Sequence, residues 1–208
     1  MDGILSPNML KTYELCPKKF CFKYIKGISM PVDDTVFETG KNIHALASYY
    51  LRKENIDKLE KALTVREREI WEYLKSIKYF SYECINTEYN LAVKIGEHFF
   101  GGRLDALVKD SAGKYYILDY KTGSAPRNAA FDYQTMVYLL AVRSFFQTDN
   151  IEFVYLDLRN KKEVTIELTS ELIEKYTKKL TNISDMIDSE DYTSKHDNCP
   201  CEYDIICF

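Results

Sequence analysis

The chain has 208 residues, of which 46% are hydrophobic, so it is long enough to bury one sizeable core. Its net charge of −4 argues against a protein held on nucleic acid by bulk positive charge, but leaves open one that gathers metal ions in a cleft. No apolar run approaches the roughly 18 residues that span a membrane, and the first residues lack the basic and apolar regions of a signal peptide, so we expect a cytoplasmic protein without membrane contact.

The beginning of the chain is predicted to be helical. Residues 6–26 predict a helix because Ser6 is a suitable N-cap and Pro7 suits the first helical position. Pro17 is expected to break or kink this helix just after Cys16. The segment also holds the densest run of basic side chains, which indicates either a solvated helix face or a contact with a phosphate backbone: Lys11, Lys18, Lys19, Lys23 and Lys26.

Further helices are predicted up to about residue 80. A helix over about 35–52 contains Gly40 and His44, and residues 56–79 predict one or two more amphipathic helices. A lone histidine on an apolar helix face, such as His44, is more often a packed core residue than a ligand. On spacing alone, both interpretations of His44 stay open.

The periodicity then changes to that of β-strands. Residues 84–94 (which include Glu88), 98–108 and 115–120 predict three strands, with turns after the first and second. If the second and third strands pair in antiparallel fashion, Asp105 and Asp119 fall on adjacent strands, where they can face one another.

The remaining elements complete a mixed α/β pattern. A helix over about 129–146 carries Gln134 and Tyr138, four positions apart and so on one face. Strands are predicted for 151–158 and 162–168, and a last amphipathic helix for 170–190. We expect one domain over 1–208, with a central mixed β-sheet flanked by helices. Its parts are a mainly helical region (1–80), a core (81–168), and a C-terminal helix with a cysteine-containing flap (169–208).

The two aspartates and a nearby lysine suggest phosphodiester chemistry. Asp105, Asp119 and the backbone carbonyl of Tyr120 are oxygen ligands suited to Mg²⁺ or Mn²⁺. Lys121 could orient a water molecule or offset charge that develops in the transition state. The alternative is that Asp105 simply closes a strand, and that Asp119 and Lys121 are ordinary neighbours on one face.

Several short motifs in order resemble those of the RecB-type branch of the PD-(D/E)XK nuclease superfamily. The motifs are Gly40-x-x-x-His44, Gly102-Arg103-x-Asp105, Asp119-Tyr120-Lys121-Thr122-Gly123, Gln134-x-x-x-Tyr138, and an opening helix from Ser6 to Phe20. The resemblance implies a restriction-endonuclease-like core, with His44, Asp105 and Asp119 as metal ligands and Lys121 as the catalytic lysine. It also implies that Gln134 and Tyr138 lie near the active site, and that Glu88 occupies a position where the family often has a glutamate.

The cysteines form a second pattern. Four convergent thiolates can bind Zn²⁺ or a [4Fe–4S] cluster. The tail supplies Cys199, Cys201 and Cys207, and Cys16 is the best candidate for the fourth ligand, with Cys21 in reserve. This arrangement is similar to that of the CRISPR-associated four-cysteine exonucleases with an iron–sulfur cluster, although the gap between Cys199 and Cys201 is one residue shorter. A zinc site and an unligated tail remain the alternatives, and Cys84 is expected to be a small core residue.

The resemblance implies a metal-dependent DNA nuclease, most simply an exonuclease acting on single strands or ends. Protein partners in CRISPR adaptation, recombination or DNA repair would fit this activity. A second hypothesis is a non-catalytic nucleic-acid-binding or assembly module with the same fold and a structural metal cluster. A third is a zinc-stabilised hydrolase for some other phosphoester, because the site chemistry alone does not distinguish DNA from RNA or a small phosphodiester.

Overall fold

The computed structural model describes residues 3–30, 38–193 and 201–207, and the first segment contains two short helices. The Ser6 hydroxyl caps α1 (Pro7–Leu15) by accepting a hydrogen bond from the Met9 N–H at 3.3 Å. Pro17 opens a separate helix α2 (Pro17–Phe20), which continues as a π-helical turn (Cys21–Ile25). The helix predicted for 6–26 is therefore divided, and its first break lies at Cys16, as the position of Pro17 indicated.

Three more helices precede the main strands in the described residues. They are α3 (Glu38–Leu51), α4 (Asp57–Ala62) and α5 (Val65–Ser76), and a 3₁₀ turn (Lys78–Ser81) follows them. Helix α5 begins at a capping box, in which Thr64 and Glu67 each satisfy a backbone N–H of the other. The predicted start of the second helix at residue 35 lies outside the described residues.

A six-stranded mixed sheet forms the centre of the protein. Its strands are β1 (Ile4–Leu5), β2 (Glu83–Ile95), β3 (His98–Lys109), β4 (Tyr115–Lys121), β5 (Ile151–Asp157) and β6 (Lys162–Glu167). The order is β1-β3-β4-β5-β6, and β2 pairs with β3. The β1–β3 and β4–β5 pairs are parallel and the others antiparallel. The predicted mixed α/β class with a central mixed sheet is confirmed.

Strand β3 is paired unevenly along its two edges. Strand β2 runs along the whole of one edge, so β1 and β4 must share the other. Strand β1 pairs with Phe99 and Phe100, whereas β4 pairs only from Ala106 onward. Residues 101–105 therefore have no strand partner on this edge, and this opening in the sheet contains the Gly102-Arg103-x-Asp105 motif.

Helices cover both faces of the sheet. Leu107 and Ile117 pack in one apolar cluster with residues of α1, of α6 (Tyr133–Phe146) and of α7 (Ser170–Asp188). Val108 and Leu118 alternate to the other face, where they pack with residues of α3 and α5. Helix α6 provides the parallel crossover from β4 to β5 and is preceded by a 3₁₀ turn (Ala129–Phe131). Within 3–30, 38–193 and 201–207, no helix has the combined length and apolar character that crossing a bilayer requires.

Candidate active site

Two aspartates lie where the β3–β4 ladder ends. The last paired residues are Ala106 and Leu118, and one further step in this register sets Asp105 opposite Asp119. The Asp105 carboxylate then replaces a strand carbonyl, because its Oδ2 accepts a hydrogen bond from the Tyr120 N–H at 2.9 Å. The hairpin therefore sets Asp105 and Asp119 at the same end of the ladder, where the pairing stops at the opening in the sheet.

His44 approaches the carboxylates from helix α3. Its Nδ1 lies 3.3 Å from Asp105 Oδ1, and its Nε2 lies 3.0 Å from the carbonyl oxygen of Tyr120. Burial lowers the pKa of His44, but the hydrogen bond and charge of Asp105 outweigh this effect and raise the pKa overall. Both ring nitrogens thus contact oxygen atoms of the site, and His44 is not enclosed in the apolar core.

Asp119, Lys121 and Gln134 form a closed triangle of polar contacts. The Gln134 side-chain amide donates to Asp119 Oδ1 at 2.9 Å, and its oxygen accepts from Lys121 Nζ at 2.8 Å. Lys121 Nζ also lies 2.9 Å from Asp119 Oδ2, completing the third side. Gln134 therefore fixes the carboxylate and the ammonium group at the same time.

Asp119 is the most deeply buried acid of this group, with 4% of its surface exposed. Burial and the nearby charge of Asp105 raise the pKa of Asp119 to about 6, against the opposing attraction of Lys121. Among the described residues, its Oδ2 accepts no hydrogen bond beyond the ion pair with Lys121 Nζ. A buried carboxylate oxygen with an unused lone pair is costly in a protein interior and well suited to a cation.

Tyr138 lies next to the site and contacts the backbone of β3. Among the described residues, it forms no hydrogen bond with the carboxylates of Asp105 or Asp119. Its hydroxyl donates to the Arg103 carbonyl at 3.0 Å, which satisfies part of the open stretch of β3. A Cβ at Gly102 would lie 3.0 Å from this hydroxyl, so a side chain there would crowd Tyr138. Gln134 and Tyr138 share a helix face but have different contacts, the first with the polar groups and the second with the β3 backbone.

Glu88 lies beside Asp105 and His44. The β2–β3 register pairs Thr87 with Ala106 and Tyr89 with Leu104, which sets Glu88 across from Asp105. One ligand atom from each of His44, Glu88 and Asp105 lies within 4.8 Å of the others. Glu88 also has a left-handed backbone with φ of 51°, a conformation that costs a side-chain-bearing residue about 1–2 kcal/mol.

The three side chains open into a cleft of about 620 Å³. One face of α3 and the middle of β2 and β3 line it, and Arg103 Nε lies 3.0 Å from Glu88 Oε2 at its wall. A second cavity, of about 550 Å³, lies at the far end of α6 and contains none of the predicted site residues. The cleft beside His44 is therefore the better candidate for substrate access.

A protein-family model described as the PD-(D/E)XK nuclease superfamily matches residues 4–83 and 59–208. The chain belongs to this superfamily. It is a metal-dependent nuclease by family, and a mixed sheet between helices, with two acids and a lysine at the end of a hairpin, fits that assignment.

Individual relatives agree with this assignment. The nuclease is 23% identical over 211 residues to the CRISPR-associated exonuclease Cas4 of Francisella tularensis subsp. novicida (strain U112), covering 99% of this chain and 94% of the relative. A crystal structure of a candidate exonuclease from Eubacterium rectale has a TM-score of 0.59 and 11% identity, over 95% of this chain and 86% of that one. The second likeness concerns the fold alone.

The nuclease brings the two cysteine-containing segments into contact. Cys16 is buried at the start of α2, where its Sγ accepts from the Lys19 N–H at 3.5 Å. Lys19 Nζ pairs with Glu202 Oε2 at 2.8 Å, and the Tyr203 hydroxyl donates to the Ile28 carbonyl at 2.9 Å. The tail that holds Cys201 and Cys207 thus packs against the opening segment.

The other cysteines differ in their surroundings. Cys199 lies outside the described residues, so its predicted role as a ligand stays a prediction. Cys21 and Cys84 are half-buried, and Cys84 packs against the apolar cluster on the α3 side of the sheet. No disulfide is formed by Cys16, Cys21, Cys84, Cys201 or Cys207, the five cysteines in the described ranges.

Proposed function

We propose that this nuclease is an exonuclease that hydrolyses single-stranded DNA or DNA ends with Mg²⁺ or Mn²⁺. The observation that carries the proposal is the buried Asp119, whose Oδ2 has Lys121 Nζ 2.9 Å away and whose pKa is raised by the charge of a second carboxylate, Asp105. The Cas4 relative is called an exonuclease, which supports this mode of cleavage.

The donor atoms fit a hard divalent cation. We propose His44, Asp105 and Asp119 as its ligands, with the Tyr120 carbonyl oxygen and Glu88 as further donors. One imidazole with carboxylate and carbonyl oxygens is a donor set that suits Mn²⁺ and Mg²⁺. When bound, such an ion neutralises phosphoryl oxygens and makes a bound water more acidic.

The protein's own groups would orient the reactants. Lys121 is held between Asp119 and Gln134 with 27% of its side chain exposed, and its chain neighbour Thr122 lines the cleft. We propose that its ammonium group meets a phosphate bound there while staying anchored. There it would donate to the attacked phosphodiester or orient the water. Gln134 limits the motion of both neighbours, and Tyr138 holds the β3 backbone that carries Asp105.

The test compares degradation of end-labelled single-stranded DNA by wild type, Asp119→Ala and Lys121→Ala, with Mg²⁺ or Mn²⁺. We expect stepwise products from wild type and a loss of at least about 100-fold in both variants, the scale of removing a charged transition-state contact. Lys94→Ala, which removes an exposed strand lysine outside the cleft, is the matched control. Unchanged degradation in both site variants would refute the assigned site, and inactive wild type that still binds DNA would favour the binding module.

We further propose that Cys16, Cys199, Cys201 and Cys207 hold a [4Fe–4S] cluster. The buried Cys16 thiol and the packing of the 201–207 tail on the opening segment support this proposal. Cysteine thiolates are the usual ligands of such a cluster. By joining distant parts of the chain, it would restrict the unfolded state and hold α1 and α2 against the tail.

Metal content of anaerobically purified protein tests the cluster. We expect iron and acid-labile sulfide in wild type, their loss in Cys16→Ser and Cys207→Ser, and their retention in Cys84→Ser. Stoichiometric zinc without iron would refute the cluster and favour the zinc alternative.

A role with protein partners in CRISPR adaptation or recombination is also proposed, on the strength of the Cas4 likeness alone.

A further inference from the structure

Helix α3 packs one face against the core and turns the other toward the cleft. Ile43, Leu46 and Ala47 are buried in the core. The other face lines the cleft at helical spacing through Lys41, His44, Ala45, Ser48 and Tyr49, and Arg52, the first residue after α3, continues this line. The helix that presents His44 to the carboxylates therefore also presents an aromatic ring and two cationic side chains to the same cleft.

Tyr49 is the exposed ring of this face. It is 38% exposed, and the Arg52 guanidinium carbon lies 5.0 Å from its ring centroid. No other ring in the described residues contacts Tyr49, whereas its neighbour Tyr50 packs on Trp71 and Phe80. Isolated exposed aromatic residues are common on protein surfaces, but this one lies in the cleft with His44, Glu88 and Asp105.

The cation beside the ring is anchored to strand β2. Arg52 reaches Thr87 Oγ1 at 3.4 Å through Nη1, and its Nε pairs with Glu54 at 2.7 Å. One turn earlier, the buried Ser48 hydroxyl donates to the same Thr87 Oγ1 at 2.7 Å. Because Thr87 directly precedes Glu88, these bonds tie the Tyr49 side of α3 to the strand that brings Glu88 opposite Asp105.

We propose that Tyr49, backed by Arg52, is a stacking subsite for an unpaired nucleobase next to the phosphate that is cleaved. An aromatic ring accepts any base, because every base has a π-face, and an adjacent cation offsets the strand's phosphate charge. Bases inside a duplex are stacked on their neighbours and offer no free face, so the subsite selects single strands or frayed ends. The proposal rests on the proposed nuclease function, to which it adds the form of the substrate.

An abasic scan tests the subsite by binding alone. A set of single-stranded oligonucleotides, each lacking one base at a different position from the end, is bound by wild type, Tyr49→Ala and Tyr49→Phe in Ca²⁺ without turnover. We expect wild type to lose about 5- to 150-fold in affinity at one position, the range for a single stacked base. Tyr49→Phe should keep this position-dependence, whereas Tyr49→Ala should bind every oligonucleotide with nearly the same reduced affinity.

The control is Phe145→Ala, which removes an exposed ring outside the cleft and should leave the profile unchanged. The same position-dependence in Tyr49→Ala as in wild type would overturn the subsite, and so would a flat wild-type profile. Failure of the nuclease proposal would be seen separately, as absence of product in the cleavage assay, so the two failures can be distinguished.

Discussion

Replacing Gln134 by leucine should disable the site while keeping its shape. Leucine has a similar volume but can neither donate to Asp119 nor accept from Lys121. Asp119 Oδ1 would then lose the hydrogen bond that the Gln134 amide donates. Water could hardly replace this bond, because Asp119 is buried. The Lys121 ammonium would be held by Asp119 alone, and we expect it to compete more strongly with the catalytic cation.

The size of the effect follows from the two lost contacts. A hydrogen bond to a charged group contributes about 1.5–3 kcal/mol. The two bonds act as a unit on one carboxylate–lysine pair, so their contributions should not be added. If the loss falls on the transition state, a barrier higher by about 1.5–3 kcal/mol lowers kcat/KM by about 10- to 150-fold.

The assay is degradation of end-labelled single-stranded DNA over a Mn²⁺ titration, with folding checked by circular dichroism. We expect Gln134→Leu to need more Mn²⁺ and to stay below wild type at saturation. Gln147→Leu, at the C-terminal end of the same helix and outside the cleft, is the control. A Gln134→Leu variant within about twofold of wild type at saturating metal would refute the positioning role, since it would place the contribution below about 0.4 kcal/mol.

Three further predictions concern stability and metal dependence. Asp119→Asn removes a carboxylate whose pKa is held at about 6, so the metal-free variant should be more stable than wild type at neutral pH, by up to about 3 kcal/mol; a lower urea midpoint in EDTA would contradict this. Hydrogen bonds from Asn42 and Thr64 lower the pKa of Glu67, so its contribution to stability is present above its unfolded pKa and is lost as pH falls through the folded pKa. Glu67→Gln should therefore lower the free energy of unfolding at pH 7 by about 1 kcal/mol, and the difference from wild type should shrink in urea titrations at acidic pH. Glu88→Asn tolerates the left-handed backbone better but cannot replace the carboxylate, so activity should require more Mn²⁺ while the melting temperature is kept; an unchanged Mn²⁺ profile would remove Glu88 from the ligand set.

Local patterns explain which parts of the fold could be predicted. The β2–β3 and β3–β4 hairpins match closely because alternation and turn residues lie in the same short stretch. Helix α6 was predicted to begin near residue 129, but Asp132 is its N-cap and a separate 3₁₀ turn precedes it. Strand β1 was missed because two residues carry no periodicity, and its pairing depends on Phe99 and Phe100 far along the chain.

The site was predictable to the extent that a hairpin determines it. The placement of Asp105 and Asp119 at one end of the ladder follows from the β3–β4 turn. Glu88, which the sequence offered only through the family resemblance, could have been placed in the same way. Counting back from the turn that pairs Ile95 with His98 sets Glu88 opposite Asp105. Its left-handed backbone, and the double contact of Gln134, depend on packing between distant elements and have no local signal.

The opening in the sheet has a consequence for the order of folding. The hairpins that bring Asp105 to Asp119 close over short stretches of chain and can form early. Strand β1, which bounds the opening on its other side, pairs Leu5 with Phe100, 95 positions apart (100 − 5), and closing so long a loop is slow. Asp105 and Asp119 would therefore come together before β1 pairs with β3. A partly folded chain would already carry the two acids of the site, but without β1 beside the opening.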